Sequence, residues 1–237
     1  MPENQFFSDA HLGKVLVRRN VRARRFVFRV KEGLLVATLP LGATEVELRE
    51  VIEGMRPRLQ AMLQRAPQPH SLVPGFRVDS ECFMFWFEES DVRRMGFRER
   101  KGELVCHYPK GYDFSILQVQ EVVRHAIEES LRRHARVLFA PRLKAMAELR
   151  GLTYQTLRIH KTKSRWGSCS SKGCINLSLY LVLLPVHLQD YVMQHELTHL
   201  QEMNHGVRFH RLLDAAVDGK SRSLEKELKA CKVCLML

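Results

Sequence analysis

Residues 190–205 read DYVMQHELTHLQEMNH, and this stretch constrains the fold more than any other part of the chain. Apolar Tyr191, Val192, Leu197 and Leu200 frame it as a buried helix. Helix positions four apart share a face, so His195 and His199 aim two imidazoles at one point. Such a pair can hold one metal ion, and Glu196 beside the first can meet a metal-activated water as general base. His205 follows six residues after His199, once the helix has turned at Met203-Asn204. A catalytic zinc wants three protein ligands and an open position. The pattern therefore predicts Zn2+ on His195, His199 and His205, with Glu196 catalytic. Zinc sites with this histidine spacing can place a glycine at the turn, where this chain has Glu202, so the loop geometry differs. Glu225 and Glu227, further along, are the alternatives for the third ligand.

The segments just before this helix read as parts of the same region. Residues 174–184 (CINLSLYLVLL) read as a buried strand, and Ser170 to Gly173 as the hairpin turn leading into it. A strand beside such a helix can offer its backbone edge to an extended peptide. Lys161, Lys163 and Arg165 precede it, and with Arg208 they suit an anionic substrate. The same cations equally suit nucleic acid or plain solvent. Trp166 reads as a core aromatic, and Cys169 and Cys174 as buried packing. His160, His187 and His210 read as surface residues or as partners outside the metal's own ligands. Asp190 and Asn204 are candidates to hydrogen-bond the metal histidines.

The rest of the chain has strand and helix patterns. Val15 to Val17, Phe26 to Val30 and Leu34 to Leu39 read as strands, with a turn at Lys31-Glu32-Gly33. Thr44 and Glu47 form a capping box for a helix to about Leu63, interrupted by Pro57. A proline-rich loop over 66–75 leads to strand-like residues 76–110. A long helix then runs from near Ser115 to Arg150, with Gly151 as its cap and Pro141 expected to break it. No internal repeat shows in the sequence.

Composition sets the outer bounds. The 237 residues carry a formal charge of +12. Eight Lys or Arg fall between Lys14 and Lys31 before any acid appears, a candidate nucleic-acid surface or a solvated face. No run of about 18 apolar residues exists to span a membrane, and the first residues lack a secretory signal. The expectation is a cytoplasmic protein with reduced cysteines. Cys231 and Cys234 make a lone CxxC, too little for a structural zinc site.

Lys163 to Cys169 (KSRWGSC), Ile175-Asn176-Leu177, Pro185, Asp190-Tyr191-Val192, the HELTH pentad, and Asn204-His205 with Phe209 together resemble the YgjP-like family. That bacterial group of zinc hydrolases is related to the SprT-like metallopeptidases. The RRN-RARR segment near the N-terminus resembles it too. The resemblance implies a minimal metallopeptidase-like domain, with His195, His199 and His205 as zinc ligands and Glu196 as acid/base. The chain departs from the family at Ser178-Leu179-Tyr180 and at His210, positions that bear on substrate contacts. The fold expected is α+β. A strand-rich antiparallel region with one helix would cover residues 1–114, and a helical, zincin-like catalytic domain residues 115–237. Three functions fit: a zinc metallopeptidase, a nucleoside triphosphate pyrophosphohydrolase on the same metal, or a nucleic-acid-associated protease or binder. The substrate is then a peptide or a nucleotide.

Overall fold

The computed structural model describes residues 5–31, 33–65 and 71–231. They divide into two compact units, one before and one after residue 70. In the first, β1 (Gln5–Asp9), β2 (Gly13–Arg19), β3 (Val27–Lys31) and β4 (Leu34–Leu39) precede α1 (Glu45–Arg65). The sheet order is β1-β2-β4-β3. Alternating Val15, Val17, Leu35, Ala37 and Leu39 bury one face of the sheet together with Leu48, Ile52 and Leu59. The capping box forms as expected: the Thr44 amide donates to Glu47 Oε2 at 2.7 Å, and the Glu47 amide to Thr44 Oγ1 at 3.2 Å. The helix continues through Pro57. Glu32 of the expected turn lies outside the described residues.

The second unit begins with β5 (Val78–Asp79), β6 (Met84–Glu89), β7 (Gly96–Arg100) and β8 (Glu103–Tyr108), followed by α2 (Leu117–Leu149). Next come β9 (Thr156–His160), β10 (Gly167–Cys169), β11 (Cys174–Ser178) and a 3-10 helix (Leu179–Leu183). Helices α3 (Val186–Thr198), α4 (Val207–Ala216) and α5 (Ser221–Ala230) close the unit. One sheet has the order β5-β6-β8-β7 and the other β10-β11-β9, so β10 is an edge strand. Among the described residues no helix is long and apolar enough to cross a membrane.

The α+β class is as expected, with several differences in detail. Strands β2 and β4 run parallel, as do β6 and β8, because each fourth strand inserts between the second and third. The chain divides near residue 70 instead of after 114. Strands β5–β8 belong with the helices that follow: Glu99 of β7 pairs with Arg133 of α2, and the segments flanking β5 are bonded to the helices as well. Gln120 of α2 bonds both backbone groups of Leu72, and Glu81 accepts from the Val186 amide at the start of α3.

Pro141 does not break α2, which runs unbroken from Leu117 to Leu149. The proline deprives only the carbonyl of Val137, a residue 74% exposed and open to water. Buried Phe139, Leu143 and Ala147 hold the helix on either side. Gly151 ends the helix region with φ +61, its amide donating to the Glu148 carbonyl. The apolar run 174–184 is a strand only to Ser178, whose hydroxyl then accepts from the Tyr180 amide and starts the 3-10 helix. Both halves are buried, so apolar content could not tell them apart.

Candidate metal centre and cleft

Helix α3 starts after Pro185 and buries Leu188, Tyr191, Val192, Met193 and Leu197. That face fixes the helix against the domain and leaves His195 and His199, one turn apart, at its C-terminal end. Arg142 of α2 and Arg150, which caps its C-terminal end, hold α3 along its length. Arg142 bonds Gln189 and pairs with Asp190. Arg150 donates to Gln194 Oε1 at 2.9 Å, Thr198 Oγ1 at 3.2 Å and Gln201 Oε1 at 3.1 Å. Asp190 thus serves the helix anchor and not the histidines.

The turn after α3 returns His205 to the end of the helix. The ligand atoms of His195, His199 and His205 lie within 4.8 Å of one another. His195 Nε2 and His205 Nε2 are 3.1 Å apart. Nitrogens about 2.0–2.1 Å from a tetrahedral zinc stand about 3.3 Å from each other, so the spacing fits that ion. Phe209 of α4 is fully buried and forms the floor, with its centroid 4.9, 4.6 and 4.6 Å from the rings of His195, His199 and His205. The Nδ1–H of His199 donates to the Glu202 carbonyl at 3.2 Å, which leaves Nε2 as the free lone pair.

Electrostatics favour the same use. Burial, with His199 and His205 close by, pushes His195 down to about 4, so its imidazole is neutral at physiological pH and can ligate. Burial also lowers His199. Glu196 is 4% exposed, and its Oε2 makes no hydrogen bond among the described residues. Burial pushes its carboxyl up to about 8, opposed by Arg165. A divalent cation on the histidines would favour the carboxylate instead. Three converging imidazoles beside a buried carboxyl oxygen without a hydrogen-bond partner among the described residues are a donor set suited to zinc.

Above the cluster lies an open cleft of about 1230 Å³. One wall is Arg165-Trp166-Gly167, the floor holds Tyr191, His195 and Glu196, and α4 and α5 form the far side. Of the four basic residues singled out in the sequence, only Arg165 lines it. Lys161 is drawn to α2, 2.7 Å from Glu128, whose other oxygen accepts from the Tyr180 hydroxyl. Lys163 Nζ stands 5.9 Å over the Tyr180 ring. Arg208 is exposed and 3.9 Å from Glu202. Arg211 and Arg222 line the cleft but were not singled out, and neither they nor Arg165 forms an ion pair among the described residues.

The other candidates fall elsewhere. Glu227 pairs with His187, and Glu225 with Lys229. Glu225 is in the cleft wall, while the three-atom cluster is histidine alone among the described residues. His160 bonds Asn176, and His210 lines the cleft. Cys82, Cys106, Cys169, Cys174 and Cys231 are free thiols, and Cys234 lies outside the described residues. The sequence reading missed the roles of Arg150 and Phe209. Phe209 had only a weak signal, an apolar residue in the first turn of the helix that follows His205. Arg150 had none.

A cluster of three histidines with an adjoining buried glutamate, at the floor of an open cleft in an α+β domain, defines the class of metallopeptidase-type hydrolases. The chain matches the family model described as YgjP-like, metallopeptidase domain, over residues 24–230, and it belongs to the YgjP-like family. No curated protein matches it. Two solved structures are similar over part of the chain. The metallopeptidase zymogen of Pyrococcus abyssi abylysin is 24% identical with a TM-score of 0.34, over 37% of this chain and 89% of that one. The metallopeptidase zymogen of Methanocaldococcus jannaschii jannalysin is 20% identical with a TM-score of 0.34, over 38% and 93%.

Proposed function

We propose that this chain is a zinc peptidase in which His195, His199 and His205 hold the metal and Glu196 is the general base. The observation that carries the reading is the convergence of three imidazoles beside a buried carboxyl whose Oε2 has no partner among the described residues. Bound zinc supplies Lewis acidity at the scissile carbonyl and makes water a nucleophile near neutral pH. Glu196 takes the proton from the attacking water and returns it to the leaving amine. The edge strand β10, beside Glu196, offers unpaired backbone groups to an extended peptide. The buried floor of Phe209 keeps water from the far side of the imidazoles.

A second reading, a nucleoside triphosphate hydrolase, is favoured by one observation. Arg165, Arg211 and Arg222 line the same cleft without ion pairs among the described residues, an arrangement suited to phosphates. Nucleic-acid contact rests on Arg18, Arg22, Arg24, Arg25 and Arg29 of the first unit, all exposed; binding through them should fall steeply with salt.

The test is turnover by zinc-loaded wild type and Glu196→Gln on two substrate sets. An unfolded-protein and peptide mixture is read by mass spectrometry, and a nucleotide panel by phosphate and pyrophosphate release. Peptide cleavage that falls about 10²–10⁴-fold in the variant is expected. Nucleotide turnover alone, lost in the variant, would replace the peptidase reading with the second. Full activity in Glu196→Gln would remove Glu196 from the mechanism.

A further inference from the structure

Gly167 opens β10, at the point where the cleft wall passes α3. A glycine inside a strand weakens it and needs a reason. Backbone conformation is not the reason. Eight glycines of the described residues have positive φ, and Gly167 is not among them. Any residue could adopt its backbone.

The reason lies across the gap, on α3. A Cβ at position 167 would stand 2.5 Å from Glu196 Oε1, 2.7 Å from its Cγ and 2.8 Å from its Cδ. Three atoms of one side chain crowd the same point, so turning the carboxyl tip alone does not clear it. Glu196 is also buried, which leaves the whole side chain little room to retreat. Gly102 also has close neighbours, but there a positive φ already reserves the position for glycine.

We propose that Gly167 is a positioning residue for Glu196. The space left by its missing side chain is the seat of the Glu196 carboxylate, and it sets where the unpartnered Oε2 stands in the cleft floor. The catalytic consequence rests on the proposed role of Glu196 as base, whereas the contact does not. Any side chain at 167 displaces the base while leaving the three histidines in place. Misplacement by about 1 Å is enough to cost about 10²-fold in rate.

The contact is tested by a stability cycle on the full, zinc-loaded chain, with Gly167→Ala, Glu196→Ala and the double variant. Gly96→Ala reports the cost of alanine at a strand glycine that meets nothing within 4 Å. Gly167→Ala should lower Tm by about 4 °C or more in the wild-type background. In the Glu196→Ala background it should lower Tm no more than Gly96→Ala does. Should Gly167→Ala fail to fold, the double variant is expected to fold. An equal loss in both backgrounds, or a double variant that also fails to fold, overturns the proposal.

The catalytic consequence is read from kinetics. Gly167→Ala should lower kcat about 100-fold with KM and zinc content unchanged. A raised KM at unchanged kcat would make Gly167 a substrate contact and overturn the positioning role. If no substrate is turned over at all, the proposed function fails, and the stability cycle still decides the contact.

Discussion

At the scale of single residues, Phe209 has the widest influence on the histidine cluster. One buried ring touches all three imidazoles, so it sets their mutual tilt as well as filling the volume beneath them. Phe209→Ala removes that floor. It should cost about 3–5 kcal/mol of stability and weaken zinc binding by about 10–100-fold. Thermal unfolding and zinc competition with a chelator check the two effects, and zinc affinity unchanged in a folded variant would reduce Phe209 to packing. The residues that the sequence disclosed best were those whose partners are close along the chain. His195 and His199 are one helical turn apart, and Thr44 and Glu47 are likewise local. Gly167 gave no comparable signal, because what it accommodates lies on another element. Lys161 misled for the same reason, its partner Glu128 being on α2.

At the scale of elements, α2 and the arginine that caps it clamp the histidine-bearing helix α3. Arg142 grips the first half of α3 and Arg150 the last turn, where the histidines stand. Burial lowers the pKa of Arg150, and its partners are neutral oxygens, so its position depends on hydrogen bonds alone. Arg150→Met should cost about 2–3 kcal/mol through unsatisfied groups on α3 and weaken zinc binding. Arg142→Met should destabilise by a similar amount with zinc affinity nearer that of wild type. Denaturant unfolding paired with zinc titration separates the two, and equal losses of affinity would mean that the helix moves as one piece. The existence of α2 and α3, and the two ends of α2, were legible from apolar spacing. The passage of α2 through Pro141 and the change to a 3-10 helix at Leu179 were not, since packing decides both.

At the scale of the whole molecule, the two units share a path that the sequence did not reveal. Strands β1–β4 and β5–β8 have the same order and the same directions, and each set is followed by a helix. Different side chains satisfy that path in each unit, which is why no repeat was visible. The first unit has its own acid sensitivity. Asp9 accepts from the His11 and Leu12 amides and from Arg56, and the bond to Arg56 above all pulls its pKa from 3.8 to about 2. A depressed carboxylate stabilises the fold above its unfolded pKa, and that contribution is lost as pH falls from about 4 through about 2. Asp9→Asn should therefore destabilise the first unit by about 1–2 kcal/mol at pH 7 and flatten its acid limb between about pH 4 and 2. Unfolding followed across that range, with an equally steep limb in the variant, would assign the acid sensitivity to another group.

The central claim is that three histidines of this chain make one zinc site. Its most direct test is zinc content, by elemental mass spectrometry, of wild type, His195→Ala, His199→Ala, His205→Ala and Glu225→Ala. The expected result is one zinc per chain in wild type and in Glu225→Ala, and occupancy lost or strongly reduced in each histidine variant. Zinc retained in His205→Ala but lost in Glu225→Ala would contradict the account, and would move the third ligand from the turn after α3 to the wall of the cleft.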